Sequence, residues 1–437
     1  MNISIRHWLG EKNIEISQLQ GFSTGQVAGV AFCIVEDMEL KSLMPFDICT
    51  FVEVLEQPLS IAWQEITVYT RLTESLLYRF GQKKPLKRNE GTWLVFQTAY
   101  LQALQTIVQQ EINFKRIWLN KALFWHQQIE QLQSQESEVS TGTFFLQNTQ
   151  LQAVLATLRP VRLTDTQAEQ ALTLVPESLL VQQMNNATNA WLVANGAEET
   201  EAKLITQRLA NSLQGYVLAV VAENAAPLAQ LQKFVRIGNP LTPRSSENGY
   251  AYSDKIDIQK ELYRASLLKS LNKPLLQEYF SLKDINIPLK GLPRSESTRE
   301  DGTKNSEPTD LMLWVLQQLE DLETITVIEA ESGYGKTSFC QMLATQVARE
   351  IYPRWMPIFI RLRDIVWGNS LAETLNTAFP LNDSINVSTW LESDNNRCLL
   401  ILDGLDELPP CAQGKMTKGI FLVNYCDFSQ SVVIKLF

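Results

Sequence analysis

Five residues of the types that hold phosphate groups lie within six positions of the chain: Gly333, Gly335, Lys336, Thr337 and Ser338. Glycines let the main chain wrap closely around a polyphosphate. The exposed N–H groups of such a turn, and of the helical turn that follows it, point at the anion. A lysine at this spacing reaches the β- and γ-phosphates, and the adjacent hydroxyl binds Mg²⁺. The spacing therefore predicts a phosphate-binding loop made by these five residues.

The segments on either side have the patterns that such a loop needs. Residues 325–330 are apolar or β-branched apart from Glu329, as expected of a buried strand. Residues 339–349 have helical spacing of apolar side chains. Ala330 occupies the first position of the G-x-x-x-x-G-K-T pattern, where glycine is usual, and alanine fits that turn if its φ angle is negative. We predict strand, loop and helix in that order.

A second apolar run ends in acidic residues. Residues 398–402 are all apolar or Cys, and Asp403, Asp406 and Glu407 follow them. Such a run is typical of the interior of a parallel sheet, and a carboxylate at its carboxyl end can hold the Mg²⁺ shell beside a phosphate loop. Asp406 or Glu407 would then orient or deprotonate an attacking water. The alternative is a strand followed by a solvated acidic turn.

The Asp-Gly-Leu-Asp-Glu sequence at 403–407 resembles the acidic motif of NACHT-family NTPases, which belong to the STAND group of signalling ATPases. Residues 357–364 resemble the second core strand of that family. Residues 285–289 resemble the short extended segment that often precedes the domain in bacterial members. The main resemblance covers residues 311–437.

This resemblance implies a P-loop fold that binds ATP or GTP with Mg²⁺ and undergoes nucleotide-controlled oligomerisation. It implies that Lys336 contacts the phosphates and that Thr337 and Asp403 hold the metal. Asp406 and Glu407 are then the candidate catalytic acids. We expect a mainly α N-terminal region, followed by a partial α/β P-loop NTPase domain with three layers around a parallel sheet.

The chain departs from the family pattern at its end. Residues 429–434 begin what resembles the next core strand, after which the family has a Thr/Ser-Arg pair whose arginine senses the γ-phosphate. Here the sequence reads Lys435, Leu436 and Phe437. We therefore expect a chain truncated within the nucleotide-binding domain, which leaves open whether it hydrolyses nucleotide.

Length and composition limit the possible classes of protein. A chain of 437 residues is expected to hold two or three domains, and its net charge of −10 argues against general binding of nucleic acid. The six cysteines show no C-x-x-C pairing, and several of them sit inside apolar runs, so they read as reduced core residues of a cytoplasmic protein. The most apolar segment, 216–231, contains Glu223 and Pro227 and is shorter than the ~20 residues of a membrane span.

We predict three regions: a mainly helical N-terminal effector or interaction region at 1–237, a helical adaptor with flexible linkers at 238–310, and the partial NACHT domain at 311–437. The run at 27–35 fits a buried strand or a helix. The acids that follow it, Glu36, Asp37 and Glu39, resemble a metal-dependent nuclease cluster or form a solvated turn, and we favour the turn.

Two functions remain in competition. In the first, the protein is a nucleotide switch of the NACHT/STAND type that acts in signal transduction or prokaryotic defence. The bound nucleotide then controls self-association, or binding of a protein partner, through the N-terminal helices. In the second, the helical region is a protein-interaction scaffold and the P-loop domain is inactive.

Overall fold

In a computed structural model, the chain forms two compact units. The first unit comprises residues 1–237 and 272–281, and the second comprises 238–271 and 282–437. The structure describes residues 4–40, 44–83, 85–123, 148–159, 162–237, 257–292, 307–320, 326–366, 371–379, 387–391, 397–404, 407 and 432–436.

The first unit is a helical assembly built around one buried helix. Helix α5 (Arg88–Asn113) is buried on nearly all sides between Gly91 and Leu104, because other helices surround it. Helices α4, α7 and α9 pack against it, and Trp93 and Tyr100 are fully buried there. The helices are α1 (Ile5–Glu11), α2 (Thr24–Leu40), α3 (Thr50–Leu55), α4 (Leu59–Lys83), α5 (Arg88–Asn113), α6 (Thr149–Leu158), α7 (Asp165–Thr173), α8 (Leu179–Ala194) and α9 (Glu199–Glu223).

Local signals explain where these helices begin and end. The Thr164 side chain accepts a hydrogen bond from the Gln167 N–H, and the Gln167 side chain accepts one from the Thr164 N–H, which starts α7 with a capping box. Gly196 has a φ of +96° just after α8. The run at 27–35 lies in α2 and is helical. Among the described helices, none has both the length and the apolar character needed to cross a membrane.

The second unit contains a parallel sheet, which together with the helical first unit gives the fold class predicted from the sequence. Strands lie in the order β3-β6-β5-β4, and all three pairings are parallel. Ile434 of β6 lies opposite Thr326 of β3 and Ile401 of β5. The elements are α10 (Ile258–Ser270), α11 (Leu282–Ile285), β1 (Lys290–Gly291), β2 (Thr309–Asp310), α12 (Leu311–Gln318), β3 (Thr326–Ile328), α13 (Lys336–Gln346), β4 (Trp355–Arg361), α14 (Leu371–Asn376), α15 (Val387–Leu391), β5 (Arg397–Asp403) and β6 (Val432–Leu436).

Helix α10 packs within the second unit, although it ends at Ser270, well before β3 begins at Thr326. The Tyr263 hydroxyl accepts a hydrogen bond of 2.9 Å from the N–H of Phe359 in β4. The Thr345 hydroxyl of α13 donates one of 3.2 Å to the carbonyl of Leu267. These bonds fix α10 against both the sheet and the helix that follows the predicted phosphate loop.

Candidate functional site

The loop between β3 and α13 has a backbone that glycine makes possible. Gly333 and Gly335 have φ angles of +87° and +83°, in the left-handed region that side chains with a Cβ atom disfavour. An added Cβ at Gly333 would have no neighbour within 4 Å, so conformation rather than space requires glycine there. Gly335 is the N-cap of α13. As at the start of any α-helix, the N–H groups of the first turn of α13 have no intrahelical partners.

Lys336 is the first residue of α13 and folds back over the loop. Its Nζ donates hydrogen bonds of 2.5 Å to the carbonyl of Ala330 and 3.0 Å to that of Glu331. The next two residues, Thr337 and Ser338, lie in the first helical turn and are half-buried. The loop therefore brings an ammonium group, two hydroxyls and the start of a helix together.

Asp403 lies at the carboxyl end of β5, and its side chain is buried with 6% exposure. Gly404 follows it with a φ of +76°, in the left-handed region that favours glycine. The Sγ atom of Cys340 in α13 lies 3.8 Å from the Oδ1 atom of Asp403. Burial, reinforced by the charge of Asp403, raises the pKa of the Cys340 thiol, which keeps it a hydrogen-bond donor. The acid of β5 and the helix of the loop are thus in direct contact.

Glu407, shortly after β5, makes two contacts. Its N–H donates a hydrogen bond of 3.0 Å to the Gly404 carbonyl, and its Oε2 lies 3.7 Å from Nη1 of Arg363. A Cβ atom at Gly404 would lie 3.1 Å from that Oε2, so glycine lets the carboxylate fold over the turn. The Glu407 side chain is half-exposed. Asp406, the other predicted catalytic acid, lies outside the described residues.

A cleft of about 720 Å³ opens beside the loop. One wall is formed by residues 285–289 and α12, and the other by residues 333–335 and the first turns of α13. Its rim carries apolar side chains that are unusually exposed, including Ile287 at 77% and Tyr334 at 64%. Sites for small molecules in proteins typically have volumes of about 300–1,000 Å³ and mostly apolar walls. This cleft therefore has the size and lining to hold a small organic ligand next to the loop.

The donor groups at the site match specific chemistry. Main-chain N–H groups and the ammonium of Lys336 suit phosphate oxygens. The hydroxyl of Thr337 and the carboxylate of Asp403 are oxygen donors, which are the ligands that Mg²⁺ prefers. The residues present are thus of the kinds that a magnesium–nucleotide complex requires.

The other candidate acids lie on α2 and make contacts within the first unit. Glu36 forms an ion pair of 2.5 Å with Lys83, and Asp37 accepts a hydrogen bond of 2.5 Å from the indole N–H of Trp8. Our prediction of a solvated turn at 36–39 was wrong, because α2 continues to Leu40. The contacts of Glu36 and Asp37 join α2 to neighbouring helices.

Two family models match the chain. The model described as NACHT N-terminal helical domain 3 matches residues 38–282, more than half of the chain, and the NACHT domain model matches residues 324–422. The chain belongs to the NACHT family. Neither the curated proteins nor the solved structures gave a match. Membership supports a nucleotide-binding NTPase role in signalling for this NACHT protein. The first match includes α10, which packs with the sheet.

Sequence reasoning missed three parts of this NACHT site. Cys340 read as a core residue, and no local pattern marks it as the neighbour of Asp403. The wall of the cleft formed by α12 and the docking of α10 were also not predicted. The resemblance of residues 285–289 to a family segment was the one signal that pointed towards the cleft.

Proposed function

We propose that this NACHT protein is a nucleotide switch, which binds ATP or GTP with Mg²⁺ at residues 330–338 and controls its self-association through the bound nucleotide. One observation carries the proposal: the left-handed glycines of the loop line an open cleft of about 720 Å³, and the ammonium of Lys336 folds back over the same loop. An anion-binding loop next to an apolar cleft matches a ligand with a polyphosphate at one end and a planar base at the other.

Each group has a defined task in this proposal. Gly333, Gly335 and Ser338 present main-chain N–H groups to the phosphates, and Lys336 exchanges its two carbonyl contacts for the β- and γ-phosphates. Thr337 and Asp403 hold the Mg²⁺, which when bound neutralises phosphate charge. Of the two proposed catalytic acids, Glu407 is oriented by its ion pair with Arg363. Asp406 would act with it on a water molecule.

The base is proposed to enter the cleft between residues 285–289 and α12. A carboxylate placed on that wall would oppose both an apolar ring and the nearby phosphates. Leu313 suits this change, because its side chain lines the cleft and is 59% exposed, so that its replacement leaves the core intact. We expect Leu313→Glu to weaken ATP binding more than it weakens binding of inorganic tripolyphosphate, which has no base.

The first test is a titration of the full chain with Mg-ATP and Mg-GTP by calorimetry. Loss of a charge-assisted hydrogen bond costs about 1.5–3 kcal/mol, so Lys336→Ala should raise the Kd about 10- to 150-fold. Lys203→Ala is the matched control, because Lys203 is an exposed lysine on α9 paired with Glu199. Equal affinity of the wild-type chain and Lys336→Ala would refute a nucleotide site at this loop.

The second test concerns the switch. Sedimentation of the chain with no nucleotide, with Mg-ADP and with a non-hydrolysable Mg-ATP analogue should give different average masses, and Lys336→Ala should remove the difference. A mass that is independent of nucleotide, in a chain that binds it, would favour the scaffold function of the helical region instead.

A further inference from the structure

The thiol of Cys340 joins two elements that are distant in the chain. Cys340 is fully buried on α13, and its Sγ lies 3.8 Å from Oδ1 of Asp403, which ends β5 63 residues later. A distance of this size between sulfur and oxygen allows a weak hydrogen bond, with the S–H as donor and the carboxylate as acceptor. The contact is buried on both sides, so water competes little for either group.

The position of Cys340 on α13 shows which face of the helix the Asp403 carboxylate contacts. Residues three apart on an α-helix lie on neighbouring positions of one face. Thr337 therefore shares a face of α13 with Cys340, and the Asp403 carboxylate contacts that face through the thiol. A buried carboxylate needs hydrogen-bond donors to keep one orientation, and a donor on this face holds it near the threonine.

We infer that Cys340 is a positioning residue for the magnesium site, because its S–H holds the carboxylate of Asp403 against the face of α13 that carries Thr337. This inference rests on the proposed function, since it assigns a role at the same site. In this role Cys340 would contact Asp403 and neither the Mg²⁺ nor the phosphates. Its effect is therefore specific to the binding of Mg²⁺ and leaves binding of the nucleotide without metal unchanged.

Two substitutions separate the donor from the volume of the side chain. Cys340→Val fills similar space without a donor, and Cys340→Ser restores a hydroxyl donor. The matched control is Cys398→Val, because Cys398 is buried in β5 of the same unit and its thiol contacts the carbonyl of Trp390 instead of a carboxylate. Circular dichroism of each variant shows whether it has folded.

Two quantities are measured for each variant. The first is the affinity for ATP in EDTA, and the second is the Mg²⁺ midpoint, which is the Mg²⁺ concentration that gives half of the metal-induced increase in affinity. A net hydrogen bond corresponds to about a 3- to 10-fold change in an equilibrium constant, and a weak one to the lower end of that range. We expect Cys340→Val to raise the Mg²⁺ midpoint by that factor with unchanged affinity in EDTA. Cys340→Ser should return it to within about twofold of wild type, and Cys398→Val should leave it unchanged.

The outcomes that overturn the two proposals differ. If wild type binds Mg-ATP and Cys340→Val has the wild-type midpoint, or if Cys398→Val shifts it equally, the positioning role is wrong and the nucleotide site stands. A shift in Cys340→Val that Cys340→Ser does not reverse also overturns it. If Cys340→Val does not fold, the test rests on Cys340→Ser. A Mg²⁺ midpoint of Cys340→Ser more than about threefold above that of wild type then overturns the positioning role. If wild type binds no nucleotide, the proposed function fails first.

Discussion

Replacement of Glu53 by glutamine is expected to remove a pH-dependent part of the stability of helix α1. The Glu53 carboxylate is buried and accepts hydrogen bonds from the N–H groups of Ile5 (2.5 Å) and Arg6 (3.0 Å), which start α1. It also accepts one of 3.0 Å from the hydroxyl of Tyr69 in α4. Burial outweighs these bonds and raises the pKa of Glu53 from 4.5 to about 6.

The sign and size of the effect follow from this pKa. The folded state binds the proton more tightly than the open state, so the extra stability is complete below about pH 4.5 and is lost as the pH rises through about 6. The difference between 4.5 and about 6 corresponds to about 2 kcal/mol in total. Between about pH 5 and pH 7.5, the free energy of opening α1 should fall by about 1 kcal/mol.

Hydrogen exchange of peptides from α1, corrected for the intrinsic exchange rates, measures this opening free energy directly. Glu53→Gln should remove the change between pH 5 and pH 7.5. Glu15→Gln should keep it, because Glu15 carries an exposed carboxylate just beyond α1 and accepts a hydrogen bond from the Ser17 hydroxyl. The reasoning fails if the wild-type opening free energy is the same at both pH values, or if Glu53→Gln shows the wild-type change.

Three further substitutions test the fold and the loop. Gly335→Ala should destabilise the second unit by about 1–2 kcal/mol and weaken nucleotide binding, because its φ is +83°; unchanged calorimetric unfolding would contradict this. Arg208→Met should cost about 1.5–3 kcal/mol, measured by urea unfolding of the first unit, since Glu111 would lose a buried ion pair of 2.5 Å and keep the one of 2.8 Å with Arg116; a loss below about 1 kcal/mol would show that the pair is dispensable. Tyr263→Phe should leave the Phe359 N–H without its acceptor and accelerate its hydrogen exchange, at a cost of about 1–3 kcal/mol.

The strands and the loop were predictable because their signals are local. Apolar runs that end in an acid or a glycine-bearing turn define β3 and β5, and the structure has strands at Thr326–Ile328 and Arg397–Asp403. The predicted next core strand is present as Val432–Leu436. The choice between strand and helix for residues 27–35 was not predictable, because a short apolar run fits either one.

The sequence alone determined the glycine-bearing turn between β3 and α13, since the positive φ angles of Gly333 and Gly335 depend mainly on the absence of a side chain there. It also determined the family through motifs at fixed spacing. Only the tertiary structure brought Cys340 to Asp403, α10 to β4, and residues 285–289 to the loop. Such contacts join segments far apart in the chain, and they are decided by which apolar faces pack together, which no local pattern records.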